Sequence, residues 1–116
     1  AYAFCDLLVI GAGPAGLMAA LVAAQSGAQV ILADEDSLMG GRLNAETLEV
    51  DGKPGSVWAA EIIDTLSNMD NVRLMSRTTV TGAYDGGTYG ALERVDHHLA
   101  DRPKGGVKET FWRIVA

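Results

Sequence analysis

The sequence predicts an α/β domain of three layers, ββα, in which a parallel βαβαβ core carries an added antiparallel β-meander. Three observations predict it. An apolar run, Asp6-Leu7-Leu8-Val9-Ile10, opens directly into Gly11-Ala12-Gly13-Pro14-Ala15-Gly16 and an alanine-rich segment. A second apolar run, Val30-Ile31-Leu32-Ala33, ends on Asp34, 18 residues beyond the last of those glycines. After Arg77 the pattern changes to β-branched and aromatic alternation punctuated by glycine-rich turns.

In order along the chain, residues 6–10 read as the first strand and 14–26 as the first helix. Ala15, Ala19, Ala20, Ala23 and Ala24 permit close helix–sheet contact, and Gly27 suits the left-handed position that ends a helix. Residues 29–34 form the second strand. A long polar loop over 35–54 follows, containing Gly40-Gly41-Arg42 and closing near Lys53-Pro54-Gly55. Ser56 is the expected N-cap of a second helix reaching 69, whose buried face is Trp58, Ile62, Leu66 and Met69. Residues 72–75 make the third parallel strand. Strands at 78–84, 92–95 and 110–115 build the meander, with turns at Asp85-Gly86-Gly87 and Arg102-Pro103-Lys104-Gly105-Gly106. Residues 1–116 are thus expected to be one partial domain, with a core over 6–75 and a meander insertion over 76–116.

The glycine run sits between a strand and a helix with an acid at the next strand end, as a βαβ dinucleotide site requires. Gly11 permits the tight turn out of the strand. Gly13, lacking Cβ, lets a pyrophosphate approach the backbone, and Gly16 lets the helix pack on the sheet. Pro14 and Ala15 open the helix, whose free N–H groups and partial positive charge face the phosphates; Pro14 has no N–H to leave unsatisfied. Asp34 can accept hydrogen bonds from an adenosine ribose and repels a 2′-phosphate, a bias that Glu35 and Asp36 deepen. NAD or FAD is therefore favoured over NADP. The fold expectation sharpens to a partial Rossmann-like domain of the FAD/NAD(P)-binding type. Gly40 and Gly41 suit a backbone passing close to the cofactor, and Arg42 can pair with a pyrophosphate or a carboxylate.

Composition narrows the function. A net charge of −6 with no basic stripe argues against a nucleic-acid partner. Cys5 is the single cysteine, which rules out an internal disulfide, suits a reducing compartment, and leaves the thiol as a small packing group. The absence of a Cys-x-x-Cys or Cys-x4-Cys pair excludes a dithiol reductase. Leu7–Ala24 is uncharged over 18 residues, but its glycines and proline and the lack of a basic leader point to a buried strand and helix, not a membrane span. His97-His98 stands alone and reads as solvated; no metal set and no catalytic side chain is identified. Arg77-Thr78-Thr79 suits a polar turn or a cofactor contact equally. The chain opens and closes almost on strands, as a piece of a longer protein would.

The stretch from Phe4 to Leu17, then Ala33-Asp34-Glu35 with Gly40-Gly41-Arg42-Leu43, resembles the dinucleotide domain of the α subunits of heterotetrameric sarcosine oxidases. Arg77-Thr78-Thr79-Val80 leading to Tyr84-Asp85, Leu92-Glu93-Arg94-Val95 and Phe111-Trp112-Arg113-Ile114 complete the likeness. The resemblance implies a cytoplasmic oxidase complex that demethylates sarcosine to glycine, yielding hydrogen peroxide and a one-carbon unit, with β, γ and δ subunits as partners. It implies NAD on this domain, FAD on the β subunit, FMN at the α/β boundary and tetrahydrofolate in a separate region. Gly11, Gly13 and Gly16 would face the pyrophosphate, Asp34 the ribose, and Gly40, Gly41 and Arg42 would lie along the cofactor. Gly86-Gly87 departs from the bulkier polar residues of the family. The Ala-Thr-Gly strand that usually closes such sites is missing, so this piece is not expected to turn over sarcosine alone. Two rival readings stand beside it: an FAD-binding half-domain of a related amine, opine or proline dehydrogenase, and a structural or regulatory nucleotide-binding module without redox chemistry.

Overall fold

The computed structural model describes residues 2–35, 39, 49–50, 52–84, 86–94 and 109–116. In chain order the elements are β1 (Tyr2–Phe4), β2 (Leu7–Ile10), α1 (Pro14–Gln25), β3 (Val30–Ala33), β4 (Glu49–Val50), β5 (Lys53–Pro54), α2 (Gly55–Ser67), β6 (Val72–Met75), β7 (Thr78–Tyr84), β8 (Thr88–Arg94) and β9 (Glu109–Val115). Strands β2, β3 and β6 form a parallel sheet in that order, with Leu8 opposite Ile31 and Ile31 opposite Arg73. Strands β7, β8 and β9 form an antiparallel meander, extended by β1, which pairs in parallel with β9.

The parallel sheet lies in the middle because β3 has two apolar faces. Val30 and Leu32 point to one side, into a core with Leu17, Ala20 and Ala24 of α1 and Trp58, Ala59 and Leu66 of α2. Ile31 and Ala33 point to the other, against Met75, Ala91, Ile114 and Ala3 of the meander sheet. Period-two alternation thus feeds two cores from one strand. The result is the three-layer, ββα, Rossmann-type architecture.

Helix α1 is apolar nearly all round, as expected for a helix pressed onto a sheet. It ends in a Schellman motif: the Ala28 N–H donates to Ala23 O at 3.2 Å and the Gly27 N–H to Ala24 O at 3.0 Å, with Gly27 at φ +95°. The lower edge of the sheet is closed by side chains. Asp6 Oδ2 accepts from the Gln29 N–H at 2.8 Å, and Asn71 Nδ2 donates to Ala24 O and Ala28 O at 3.0 and 2.7 Å.

The structure corrects several sequence expectations. The polar loop contains a two-stranded hairpin, with Val50 opposite Lys53 and Gly52 at φ +77° between them. Ser56 is not the N-cap. Helix α2 begins at Gly55, directly after strand β5, with Pro54 at the cap (φ −53°, ψ 141°) and no side-chain capping bond. It stops at Ser67, where Asn68 Nδ2 donates back to Asp64 O, so Met69 packs on the core from beyond the helix. Strand β8 begins at Thr88, not 92, because the Gly86-Gly87 turn hands directly into pairing of Thr88 with Tyr84. A Cβ on Gly87 would lie 2.7 Å from Ala116 O, a steric need for the departure from bulkier residues. Strand β1 had no sequence expectation; its ladder with β9 supplies it. His97-His98 and the 102–106 turn lie outside the described residues.

Leu32 has 0% exposure at the centre of the helix-side core. Leu32→Ala is expected to lower unfolding stability by about 2–5 kcal/mol, measured by denaturant titration.

Candidate functional site

The carboxyl ends of β2 and β3 lead into the glycine turn on one side and Asp34 on the other. Gly11 adopts φ +98°, a conformation that L side chains resist, and its N–H donates to Ala33 O at 2.7 Å. The turn therefore leaves β2 while still tied to the end of β3. Ala12, fully buried, donates its N–H to Asp34 Oδ2 at 2.6 Å. The acid at the second strand end thus clasps the glycine turn through a charge-assisted bond, a role its sequence position alone did not reveal.

Gly13 is the N-cap of α1, with φ −76° and ψ −174°, and Pro14 occupies the first helical turn. The helical ladder starts with the Leu17 N–H donating to Gly13 O at 2.9 Å. The amides of Ala15 and Gly16 precede that bond and have no acceptor within the helix. With Pro14 and Ala15 exposed, the positive end of the helix dipole opens to solvent. A Cβ on Gly13 would meet nothing within 4 Å, so free space lies where an anion would approach. At Gly16 the same atom would sit 1.9 Å from Gly11 O, which is backbone. One glycine leaves space above the turn; the other lets helix and turn touch.

A cleft of about 250 Å³ adjoins this turn, lined by Ile10, Gly11, Ala33, Asp34, Glu35, Thr78 and Val80. Its floor is the end of the parallel sheet and its wall is the meander. Asp34 is held there by its backbone as well, its N–H donating to Met75 O at 2.9 Å and its carbonyl accepting from the Thr78 N–H at 2.7 Å. Thr78, at 1% exposure, spends its hydroxyl on Ser76 O at 2.9 Å. Arg77 takes φ +50° to make the sharp passage from β6 into β7. A wider cleft of about 350 Å³, with Tyr2, Phe4, Asp70 and Arg73 on its walls, lies at the amino ends of β3 and β6. Ligands of open α/β sheets bind at carboxyl ends, which favours the smaller cleft.

The structure therefore brings together Gly11, Gly13, Pro14, Ala15, Gly16, Asp34 and Glu35 around one edge. Gly40, Gly41 and Arg42 lie outside the described residues; Met39, just before them, is buried in the helix-side core. Thr78 as a cleft wall was half legible from the sequence, and Arg94, whose guanidinium donates to Glu35 O, was not foreseen. Cys5 is away from the cleft, packed on the meander-side core; burial, followed by the neighbouring Asp6 charge, raises its thiol pKa above the ordinary value. Among the described residues no group of three His, Cys, Asp or Glu could hold a metal, and no helix is long and apolar enough to cross a membrane. The α1 N-terminus presents amides and a dipole end of the kind that suits an anion, and the adjoining cleft presents carboxylates able to accept from hydroxyls.

Comparison with known proteins agrees with this fold. Residues 6–101 match the family model described as FAD dependent oxidoreductase. The chain is 50% identical over 115 residues to the sarcosine oxidase subunit alpha of Rhizobium meliloti (strain 1021), covering 99% of this chain and 12% of that protein. It is 42% identical over 114 residues to the sarcosine oxidase subunit alpha of Corynebacterium sp. (strain P-1), covering 96% of this chain and again 12% of that protein. Among solved structures, L-proline dehydrogenase from P. horikoshii superposes with a TM-score of 0.74 at 22% identity, over 99% of this chain and 21% of that one, a likeness of fold. The resemblance to sarcosine oxidase α subunits thus runs along nearly the whole chain, which spans about an eighth of their length.

The two glycines should separate in unfolding experiments. Gly13→Ala is expected to cost no more than about 1 kcal/mol, since its φ is negative and its surroundings are open. Gly16→Ala, which must displace backbone, should cost about 1–3 kcal/mol or more. Cys5 should alkylate more slowly near neutral pH than an exposed peptide thiol, because less of it is thiolate; a thiol-labelling time course in the folded protein checks this.

Proposed function

The chain belongs to the FAD-dependent oxidoreductase family, and on that premise we propose that it is the NAD-binding part of a sarcosine-oxidase-type α subunit. The observation that carries this reading is the placement of Asp34. Its carboxylate stands at the end of β3, at the edge of the cleft, joined to the glycine turn that opens onto the α1 N-terminus. In this reading the diphosphate of NAD lies over Gly13 and takes hydrogen bonds from the Ala15 and Gly16 amides. Gly11 shapes the turn, and Pro14 sets the helix direction without adding an unsatisfied donor. Asp34 accepts from the adenosine ribose, and Glu35 adds negative charge against a 2′-phosphate. Gly40, Gly41 and Arg42 lie along the same cofactor.

Bound nicotinamide dinucleotide supplies a hydride-accepting ring. The residues of this chain bind and orient the adenosine diphosphate half, and no side chain of the cleft is assigned to catalysis. NAD and FAD share that half, so a second reading has support: the matched family is defined by FAD, and the same cradle suits it. Residues 1–116 then form one partial dinucleotide-binding domain, with its core over 6–75 and the meander as an insertion over 76–116. The whole enzyme would be a cytoplasmic oxidase that converts sarcosine to glycine with hydrogen peroxide and a one-carbon unit. It would work with β, γ and δ subunits, holding FMN, FAD and tetrahydrofolate outside residues 1–116. The chain alone is expected to show no oxidase turnover.

The test is titration of the full-length protein with NAD and NADP, alongside the absorption spectrum of what it releases on denaturation. NAD should bind more tightly than NADP. Asp34→Asn keeps an oxygen for the Ala12 N–H and removes the charge, so it should narrow that preference by about ten-fold, roughly 1.4 kcal/mol. Gly13→Ala should lose affinity for both while its melting temperature falls by no more than the few degrees that about 1 kcal/mol accounts for. Equal affinity of the unmutated protein for NAD and NADP would defeat the ribose assignment. A flavin released from this domain, with no NAD binding, would establish the FAD reading instead.

A further inference from the structure

Resting on the dinucleotide reading, we infer that Arg94 is a positioning residue for cofactor specificity, acting through Glu35. Arg94 closes strand β8 and ties together the two chain segments that leave the carboxyl edge of the parallel sheet. Its own N–H donates to Arg77 O at 2.9 Å, fixing the left-handed passage after β6. Its guanidinium Nη2 donates to Glu35 O, fixing the segment after β3. These two residues are 59 apart in sequence, so the contact is a tertiary decision with no local cause.

The need for such a tie follows from where the ladder stops. Asp34 is fixed at backbone and side chain, by Met75 O, the Thr78 N–H and the Ala12 N–H. Glu35 lies one residue past that lattice and lines the cleft with an exposed side chain. A bond to its carbonyl oxygen restrains the position of the Glu35 peptide group, and with it the Cα from which the carboxylate projects. By holding that carbonyl, Arg94 keeps Glu35 at the rim as the second negative charge that a ribose 2′-phosphate must meet. Arg94 thereby works against the attraction its own cation would exert on such a phosphate. Its guanidinium is committed to the backbone, and a freely mobile arginine at the same rim would favour NADP.

The backbone bond to Arg77 survives any substitution at 94, so Arg94→Ala removes the tie to Glu35 selectively. In the full-length protein it should narrow the NAD-over-NADP preference by about three- to ten-fold, the effect of one lost positioning hydrogen bond. The direction is diagnostic. Removing a cation by itself disfavours NADP, so narrowing cannot come from the lost charge. Hydrogen exchange of the peptide containing Asp34 and Glu35 should also quicken without ligand. In a Glu35→Gln background, Arg94→Ala should change the preference no further.

A wider preference in Arg94→Ala would mean that the arginine meets the ligand directly, overturning the inference. So would an unchanged preference with a lowered melting temperature, the mark of a purely structural tie, or unchanged exchange at Asp34–Glu35. Absence of NAD binding by the unmutated protein would instead overturn the dinucleotide reading, and the specificity role with it.

Discussion

The two cores among the described residues meet at a four-residue strand that has no solvent face. Val30, Ile31, Leu32 and Ala33 are all buried, with two side chains given to the helices and two to the meander. A strand of this kind must have a layer on each side. The helices come from the βαβ connections on either side of it in sequence, and the meander has to cover the other face. Neighbouring strands show the weaker version of the same demand: Val9 faces the helices, and Met75 faces the meander. Removing either layer would expose β3, so the two cores are coupled through one piece of backbone.

The candidate site is a consequence of that arrangement. Where β3 emerges between the layers, its next residue can be reached from three sides. Asp34 receives the Ala12 N–H from the glycine turn and the Thr78 N–H from the meander, and gives its own N–H to β6. A carboxylate held this way has little conformational freedom left to lose. The steric fit at Gly16 completes it, because the turn that carries the Ala12 amide rests directly on the helix.

The same geometry decides which polar groups the cleft presents. Among the described residues they are the carboxylates of Asp34 and Glu35 and a Thr78 hydroxyl already used on Ser76 O. The family match and the fold likeness show an architecture shared with other proteins, and fold by itself does not decide function.

Much of this was legible in the residues. The glycine run, the alanine-rich helix and the Val30–Asp34 strand carry their own local reasons, a turn that needs φ above zero, a close helix contact, an apolar strand. They fixed the βαβ unit and named Asp34 and its neighbours. The β-branched alternation after Arg77 likewise announced the meander. Other features have no local cause. Strand β1 exists because β9 lies beside it, and Ser56 is no cap because β5 ends at the residue before the helix. The bond from Asp34 to Ala12, the covering of Thr78 and the reach of Arg94 to Glu35 all join segments distant in sequence. Periodicity and turn chemistry report what a segment prefers by itself, whereas these contacts arise only after both faces of β3 have been buried and distant strand ends are brought to one edge.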